Sequence, residues 1–386
     1  MTDNQQHLLF FGEDWGRHPS TAQYLALELL DHYTLTWVNS IGLREPGLSR
    51  ADLDRVLGKL QRSASRPSTQ SSTAQPSRTP QHQLSPWIVP FHRLTAVQRL
   101  NATLFRNQLS KFTHLKHAPY TVLTANPASY YLLDDLTPQK SLYYCADKYA
   151  HIAGLNPVLV ERFERELLDR VDVVAATSKP LVDDLAKHHN NVHYLPHGVD
   201  FARFNSTLHE SAASDNPSSQ TVGFIGLLGE HIDFELIAAS ASALSEQQFL
   251  YVGPVEDGIT LPEAPNIKYV GSVPQADLPG YLARMDICTL PYAQSERNHY
   301  ANPTKVREYL AAGRAVVATR QPGLQDIAGE VSVVDDTEGY INALRSHLSD
   351  IAALPAVQLA EQRADIAAPM QNETWAVRAQ ALRALL

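Results

Sequence analysis

The residues best suited to chemistry lie between positions 302 and 313, Asn302-Pro303-Thr304-Lys305-Val306-Arg307-Glu308-Tyr309-Leu310-Ala311-Ala312-Gly313. Asn302 suits an N-cap, Pro303 the first helical position and Gly313 the residue just past the end, so a helix is expected here. A helix start exposes unpaired amide N–H groups at the positive end of its dipole, and both favour an anion. Lys305 adds a full charge one turn in, and Glu308 shares its face three residues on. A cation followed by a carboxylate matches a diphosphate and then a ribose. Asn302, Pro303, Thr304 and Lys305 would frame the phosphates, and Glu308 would take the ribose hydroxyls. The competing explanation is an exposed ion pair on a capped helix, about 0.2–0.5 kcal/mol of helix stability.

Position in the chain favours the first explanation. A strand ending at Leu290 leads through Pro291-Tyr292 and a polar loop into this helix, and the strand Ala315–Ala318 follows it. In open α/β sheets ligands bind beyond the carboxyl ends of the strands, where such a helix begins. The strand that opens the same half runs into Gly226-Leu227-Leu228-Gly229, a turn whose glycines let backbone approach a ligand closely. Gly226 and Leu227 therefore join the candidate donor-binding set.

In the first half, Asp147 follows the strand Ser141–Cys145 and is a candidate general base for a hydroxyl nucleophile, although a turn or cap aspartate reads the same way. Glu13-Asp14-Trp15-Gly16-Arg17-His18 follows the first strand. Asp14 is a second candidate base, and Arg17 or His18 suits an acceptor phosphate.

These residues require a frame, and the pattern supplies one. Strand-like runs at Leu8–Phe11, Thr34–Val38, Trp87–Val89, Thr121–Thr124, Ser141–Cys145, Val173–Ala176 and Val192–Leu195 alternate with helical stretches. A second series runs Thr221–Ile225, Phe249–Val252, Ile267–Val270, Ile287–Leu290, Ala315–Ala318 and Val331–Val334. Such alternation is the signature of parallel α/β architecture, and 386 residues exceed one hydrophobic core. The expected division is a first Rossmann-like domain over 1–205 with a flexible Ser/Thr/Gln/Pro-rich insertion near 63–85, a linker over 206–220, a second such domain over 221–370, and a closing amphipathic helix over 371–386.

Composition narrows the class. The apolar fraction of 44% and charged fraction of 19% are ordinary for a globular protein. No apolar run reaches the ~18 residues of a membrane span, and the first residues lack signal-peptide order. Cys145 and Cys288 suit buried thiols, so the cytoplasm is the expected compartment. The net charge of −9 is unevenly spread: residues 55–133 hold ten Lys or Arg and no Asp or Glu. That asymmetry suggests either an anionic partner, such as a membrane surface, or a basic segment balanced by counterions. Between Leu94 and Leu115 the residues Leu94, Val97, Leu100, Leu104, Phe105, Leu109 and Phe112 recur at helical spacing, with Arg99 and Arg106 opposite. The stripe is expected either to pack on a sheet or to meet lipid headgroups.

Taken in order, Phe224–Gly226 with Asp233, Val252-Gly253-Pro254, Asn266 to Gly271, Asp286 to Pro291 and the Pro303–Gly313 helix resemble the donor domain of GT-B-fold glycosyltransferases. The likeness is to the group 1, family 4-like members that include bacterial exopolysaccharide and teichuronic-acid glycosyltransferases and the xanthan-assembly glucuronosyltransferase. It extends back through Tyr143–Asp147, Glu164 to Asp172, Thr177-Ser178 and His197–Asp200, about two-thirds of the chain. The resemblance implies two Rossmann-like domains with parallel sheets facing a cleft, a C-terminal helix crossing back to the first domain, and a nucleotide-sugar donor, UDP-linked by preference. It further implies a hydroxyl acceptor, Tyr292 in the loop around the base or phosphate, and no bound metal, so that Lys305 and the helix dipole stabilise the leaving group. The basic span over 55–133 suggests that the acceptor is a lipid-diphosphate-linked glycan, and no nucleic acid is expected. The chain departs from the pattern at Tyr300, where retaining members carry a second glutamate that reads the donor sugar. The sugar transferred and the stereochemical outcome therefore do not carry over. A nucleotide-sugar 2-epimerase of the same fold and a catalytically silent nucleotide-binding scaffold remain the alternatives. A nicotinamide dehydrogenase does not fit, because Phe11-Gly12-Glu13-Asp14-Trp15-Gly16 lacks the three-glycine fingerprint.

Overall fold

The computed structural model describes residues 6–17, 20–44, 78–112, 115, 118–208, 220–327, 329 and 331–386. His18, most of the insertion (63–77) and most of the linker (209–219) lie outside the described residues, as do Arg55, Lys59, Arg62, Arg66 and Lys116 of the basic span. The chain forms two compact units, residues 1–196 with 378–386, and residues 197–377.

The first unit is built on a seven-stranded sheet in the order β3-β2-β1-β4-β5-β6-β7. Its strands are β1 (Gln6–Phe11), β2 (Tyr33–Val38), β3 (His82–Leu84), β4 (Tyr120–Thr124), β5 (Lys140–Cys145), β6 (Val173–Ala176) and β7 (Val192–Tyr194). Every pairing is parallel. Parallel strands are covered on both faces, which is why the central ones read as unbroken apolar runs: Leu8 through Phe10 are fully buried. Close packing extends to the end of β1, where a Cβ on Gly12 would stand 2.2 Å from the Trp37 ring.

The edge strand differs from expectation. Trp87–Val89 is not a strand; β3 is His82–Leu84, inside the stretch read as flexible up to residue 85. Only Leu84 of β3 is buried, so no apolar run marked it. Neighbouring contacts fix it: Gln81 Oε1 accepts from Leu35 N at 2.9 Å, and Arg78 pairs with Asp31. The expected apolar stripe is also redistributed. The helix Thr95–Leu109 buries Gln98, Asn101, Phe105 and Leu109, while Leu94 and Leu100 are exposed. Asn101 is drawn inward because the Val89 backbone, lacking a strand partner, takes both its hydrogen bonds from this amide, each 2.9 Å long.

The second unit holds a six-stranded sheet, order β10-β9-β8-β11-β12-β13. The strands are β8 (Thr221–Ile225), β9 (Gln248–Val252), β10 (Ile267–Gly271), β11 (Ile287–Leu290), β12 (Ala315–Thr319) and β13 (Val331–Val334), again all parallel. Val222, Phe224, Val252, Ile287, Leu290 and Val317 join Val306, Tyr309 and Leu310 in one core. The order reverses at β8, whose chain successor β9 lies on one side and β11 on the other. That is the switch point at which a crevice opens beyond the carboxyl ends of the strands.

Candidate functional site

The turn after β8 and the loop after β11 are sewn together at this crevice. Asp233 N donates to Pro291 O (2.8 Å) and Ala293 N to His231 O (2.9 Å). Buried Asn298 donates to both His231 O (2.9 Å) and Ala293 O (2.8 Å). Gly226 N bonds Val252 O at 2.8 Å, and a Cβ on Gly253 (φ +146°) would fall 1.9 Å from Gly226 O. Glycine at 253 lets the β9 end lie directly against the β8 turn.

The helix that follows runs Thr304–Ala311, with Gly313 at φ +69° closing it as expected. Its start corrects the sequence expectation. Pro303 is the N-cap residue rather than the first helical one, and no side chain caps the helix. Asn302 Oδ1 accepts instead from Arg307 Nη1 at 2.8 Å. Arg307 is fully buried and also donates from Nε to Glu373 Oε2 at 3.0 Å. Satisfying a buried guanidinium outweighs a cap of about 1 kcal/mol. The consequence is chemical: the first helical amides keep no side-chain acceptor, and the positive end of the dipole stays open to a ligand.

Side chains one turn apart on this helix address the end of β8. Tyr309 OH accepts from Ile225 N (2.8 Å) and donates to Ile225 O (3.1 Å). Lys305, four residues earlier on the same face, lies across the next residue, Gly226, where a Cβ would stand 2.2 Å from Lys305 Cε. The side chains of Lys305 and Glu308 make no hydrogen bond or ion pair with any described residue. Glu308 is half-buried. Burial pushes its carboxyl above the usual glutamate range, with Lys305 and Arg203 pulling it down and Asp200 adding to the rise. Thr304 opens the helix beside Lys305, and Leu227 stands 37% exposed on the β8 turn. Tyr292 is buried, its ring edge-on to His231 at 5.2 Å, and Thr319 Oγ1 donates to its carbonyl at 2.7 Å. Gly226, Leu227, Asn302, Pro303, Thr304, Lys305, Glu308 and Tyr292 thus all belong to the second unit, on the segments that follow β8 and β11.

Sequence reasoning missed three participants. Burial, with Arg297 and Lys305 nearby, pushes the His231 imidazole down to about 4. The ring is therefore neutral at physiological pH, with Nδ1 buried. The signal was its place six residues past Ile225 in the glycine-rich turn. Arg203 reaches the Gln275 carbonyl and faces Glu308 from the short helix Phe201–Asn205, which Asp200 caps. Tyr309 looked like any core aromatic.

In the first unit Asp14, Arg17 and Asp147 follow the carboxyl ends of β1 and β5. Asp14 Oδ1 accepts from Ser40 N at 3.2 Å and stands 3.8 Å from Arg17 Nη1. Asp147 Oδ1 accepts from Lys148 N at 2.9 Å, a turn-stabilising bond. Behind it Lys148 Nζ is held by Asp184 (2.6 Å) and by buried Glu164 (3.6 Å), which also accepts from Tyr143 OH at 2.9 Å. Burial raises the Glu164 carboxyl, opposed by Lys148. This cluster, invisible in the sequence, fixes the turn that carries Asp147. Tyr149 OH, donating to Ala125 O at 2.7 Å, ties the same turn to the end of β4.

A crevice at the switch point, an uncapped helix start and a lysine without an ion pair over a glycine turn give the second unit an open end suited to an anion. Residues 219–350 match the sequence model of the family described as glycosyl transferases group 1, which together with the architecture identifies a GT-B-fold chain carrying a group 1 glycosyl transferase domain. TuaH of Bacillus subtilis, a glycosyltransferase ascribed to teichuronic acid biosynthesis, is 28% identical over 200 residues. That match takes in 47% of this chain, which spans half the length of the curated relative. Among solved structures, sucrose-phosphate synthase from Thermosynechococcus elongatus superposes with a TM-score of 0.66 at 14% identity, over 98% of both chains. Anabaena HepE in complex with UDP gives 0.65 at 12% identity, over 98% of this chain and 99% of that one. At such identities these two likenesses speak for the fold.

Proposed function

We propose that this protein transfers a sugar from a nucleoside diphosphate donor, a UDP-sugar, to a hydroxyl acceptor in bacterial polysaccharide or glycolipid assembly. The observation that carries the reading is the Lys305 ammonium, lying without an ion pair over Gly226 beside an uncapped helix start. In this reading the diphosphate sits between the Gly226-Leu227 backbone and Thr304-Lys305. The ribose hydroxyls donate to Glu308, and Leu227 and Tyr292 border the nucleotide. As the glycosidic bond breaks, negative charge collects on the departing diphosphate. A fixed ammonium and the open amides stabilise that charge without reorganising, so no metal is required by the proposal. His231, neutral beside Lys305, adds no repulsion to a second cation and offers a ring nitrogen as donor or acceptor.

Asp147 takes the proton of the acceptor hydroxyl, with Asp14, Arg17 and His18 on the acceptor side. The acceptor is a lipid-diphosphate-linked glycan, a class that fits the arginine and histidine of the first loop. Two buried thiols, Cys145 and Cys288, fit a reducing compartment such as the cytoplasm. HepE, of the same fold, has been seen with UDP, with UDP and glucose, and with UDP-glucose.

The test is a thermal-shift panel of UDP, ADP, GDP and their glucose conjugates, followed by transfer and donor-only assays. UDP should raise Tm in the wild type and fail to do so in Lys305→Glu. Donor turnover without acceptor would instead favour an epimerase, and equal shifts in wild type and variant would remove the donor site from this helix.

A further inference from the structure

The helix Thr95–Leu109 leaves apolar side chains outside because its inward face is spent on amides. Gln98 donates to the His92 carbonyl, and Asn101 holds both backbone groups of Val89. Leu94 and Leu100 are consequently 50% and 48% exposed, and Trp87 is 50% exposed. Trp87 is nevertheless fixed, its amide donating to Gln108 Oε1 of the same helix at 2.9 Å. Val97, Leu100 and Leu104 fall on one flank of the helix at spacings of three and four, with Lys111 continuing it. Half-exposing one tryptophan and two leucines forgoes part of their burial and leaves apolar surface facing outward.

No Asp or Glu occurs between residues 78 and 133. On the opposite flank the helix borders a groove of about 640 Å³ whose walls include Arg99, Arg106, Arg162 and Arg170 over a floor of Tyr130 and Tyr131. Two of these arginines are neutralised in place: Arg106 by Asp135 at 3.2 Å, Arg170 by Asp134 at 2.7 Å and Glu166 at 2.9 Å. Arg99 and Arg162 have no ion pair among the described residues, and neither has Lys111.

We propose that this face of the first unit docks on an anionic lipid bilayer. Trp87, Leu94 and Leu100 enter the boundary between headgroups and acyl chains, and Arg99, Lys111 and Arg162 meet lipid phosphates. An interfacial helix has this character, with short apolar insertion on one side and cations on the polar side. Indole rings favour that depth, and each nearby cation adds to the attraction of an anionic surface. A second copy of the chain fits poorly, because a two-fold contact would set this cationic face against itself. The inference is independent of the donor site.

The experiment is co-sedimentation of the full chain with phosphatidylglycerol and with phosphatidylcholine vesicles, at low salt and at 0.5 M salt. The wild type should bind phosphatidylglycerol at least tenfold better and lose most of that preference in high salt. Arg99→Glu/Lys111→Glu should lose at least tenfold, Leu100→Asp a comparable amount, and both should keep the wild-type thermal shift with UDP. Brominated lipid should quench the wild-type fluorescence and not that of Trp87→Phe. Equal binding to the two lipids overturns the proposal, as does indifference to the charge reversals. Concentration-dependent dimerisation that Leu100→Asp abolishes, with no vesicle binding, would assign the face to a chain–chain contact and also overturn it.

Discussion

Lys305 and Gly226 are in mutual contact across the switch point, the lysine stem occupying the space a side chain at 226 would need, 2.2 Å from its Cε. The ammonium is thereby positioned by the absence of a Cβ. Gly226→Ala should push the lysine off the β8 turn, and UDP affinity should fall at least tenfold in calorimetric titration. The fold should lose only the ~1–3 kcal/mol of an overpacked contact, read as a lower Tm. Unchanged affinity in this variant would mean that Lys305 is not held where it is needed.

A separate expectation concerns pH. His231 is held at about 4 in the folded chain against an ordinary value near 6.5. The unfolded chain therefore binds the extra proton first, so stability from this group is complete above about pH 6.5 and is lost as pH falls toward 4. Melting curves of wild type and His231→Gln across that range should diverge, with the variant losing less of its Tm. Parallel curves would place the acid sensitivity in other groups.

Arg307 and Glu373 form a buried pair that anchors the helix Thr304–Ala311 to the end of its own unit. Removing one partner leaves a charge without compensation inside protein, which costs about 3–5 kcal/mol. Glu373→Ala should show that loss in chemical denaturation. The double variant Arg307→Met/Glu373→Leu should regain a large part of it, because replacing both charges removes the stranded one. Additive losses would contradict the coupling.

Asp147 is assigned the acceptor proton. Asp147→Asn should lower kcat by at least a hundredfold at unchanged donor affinity, measured by transfer kinetics with a UDP-shift control. Lys148→Met should lower kcat less and reshape its pH profile, since Lys148 braces the turn that carries Asp147 through Asp184 and Glu164. A fall in donor affinity equal to the fall in kcat would show that the aspartate has a different role.

The sequence revealed the parallel sheets because buried parallel strands are apolar along their whole length; Leu8–Phe11 and Ile287–Leu290 are of this kind. It concealed β3, a polar edge strand identified by its partners Thr36–Val38 alone. The helix from Thr304 was legible through Gly313 and the Lys305–Glu308 spacing. Its uncapped start was not, because the competitor for Asn302 is a buried arginine, and nothing local signals that Arg307 points inward. His231 was missed for a related reason: its burial arises from two loops meeting, a property of neither loop in isolation. The Lys148–Glu164–Asp184 cluster gathers residues spaced sixteen and twenty apart, beyond any periodic pattern.

Within the second unit, Val199 bridges in parallel to Thr374, its amide donating to Glu373 O at 2.9 Å and its carbonyl accepting from Trp375 N at 3.3 Å. A Cβ on Gly198 would stand 2.7 Å from Trp375 N. The two ends of this unit are thus bonded side by side, so the unit is a closed loop of chain. Such a module is suited to transplantation: it can be inserted into another host as one piece, or re-cut elsewhere with its old termini joined, without prising its sheet apart.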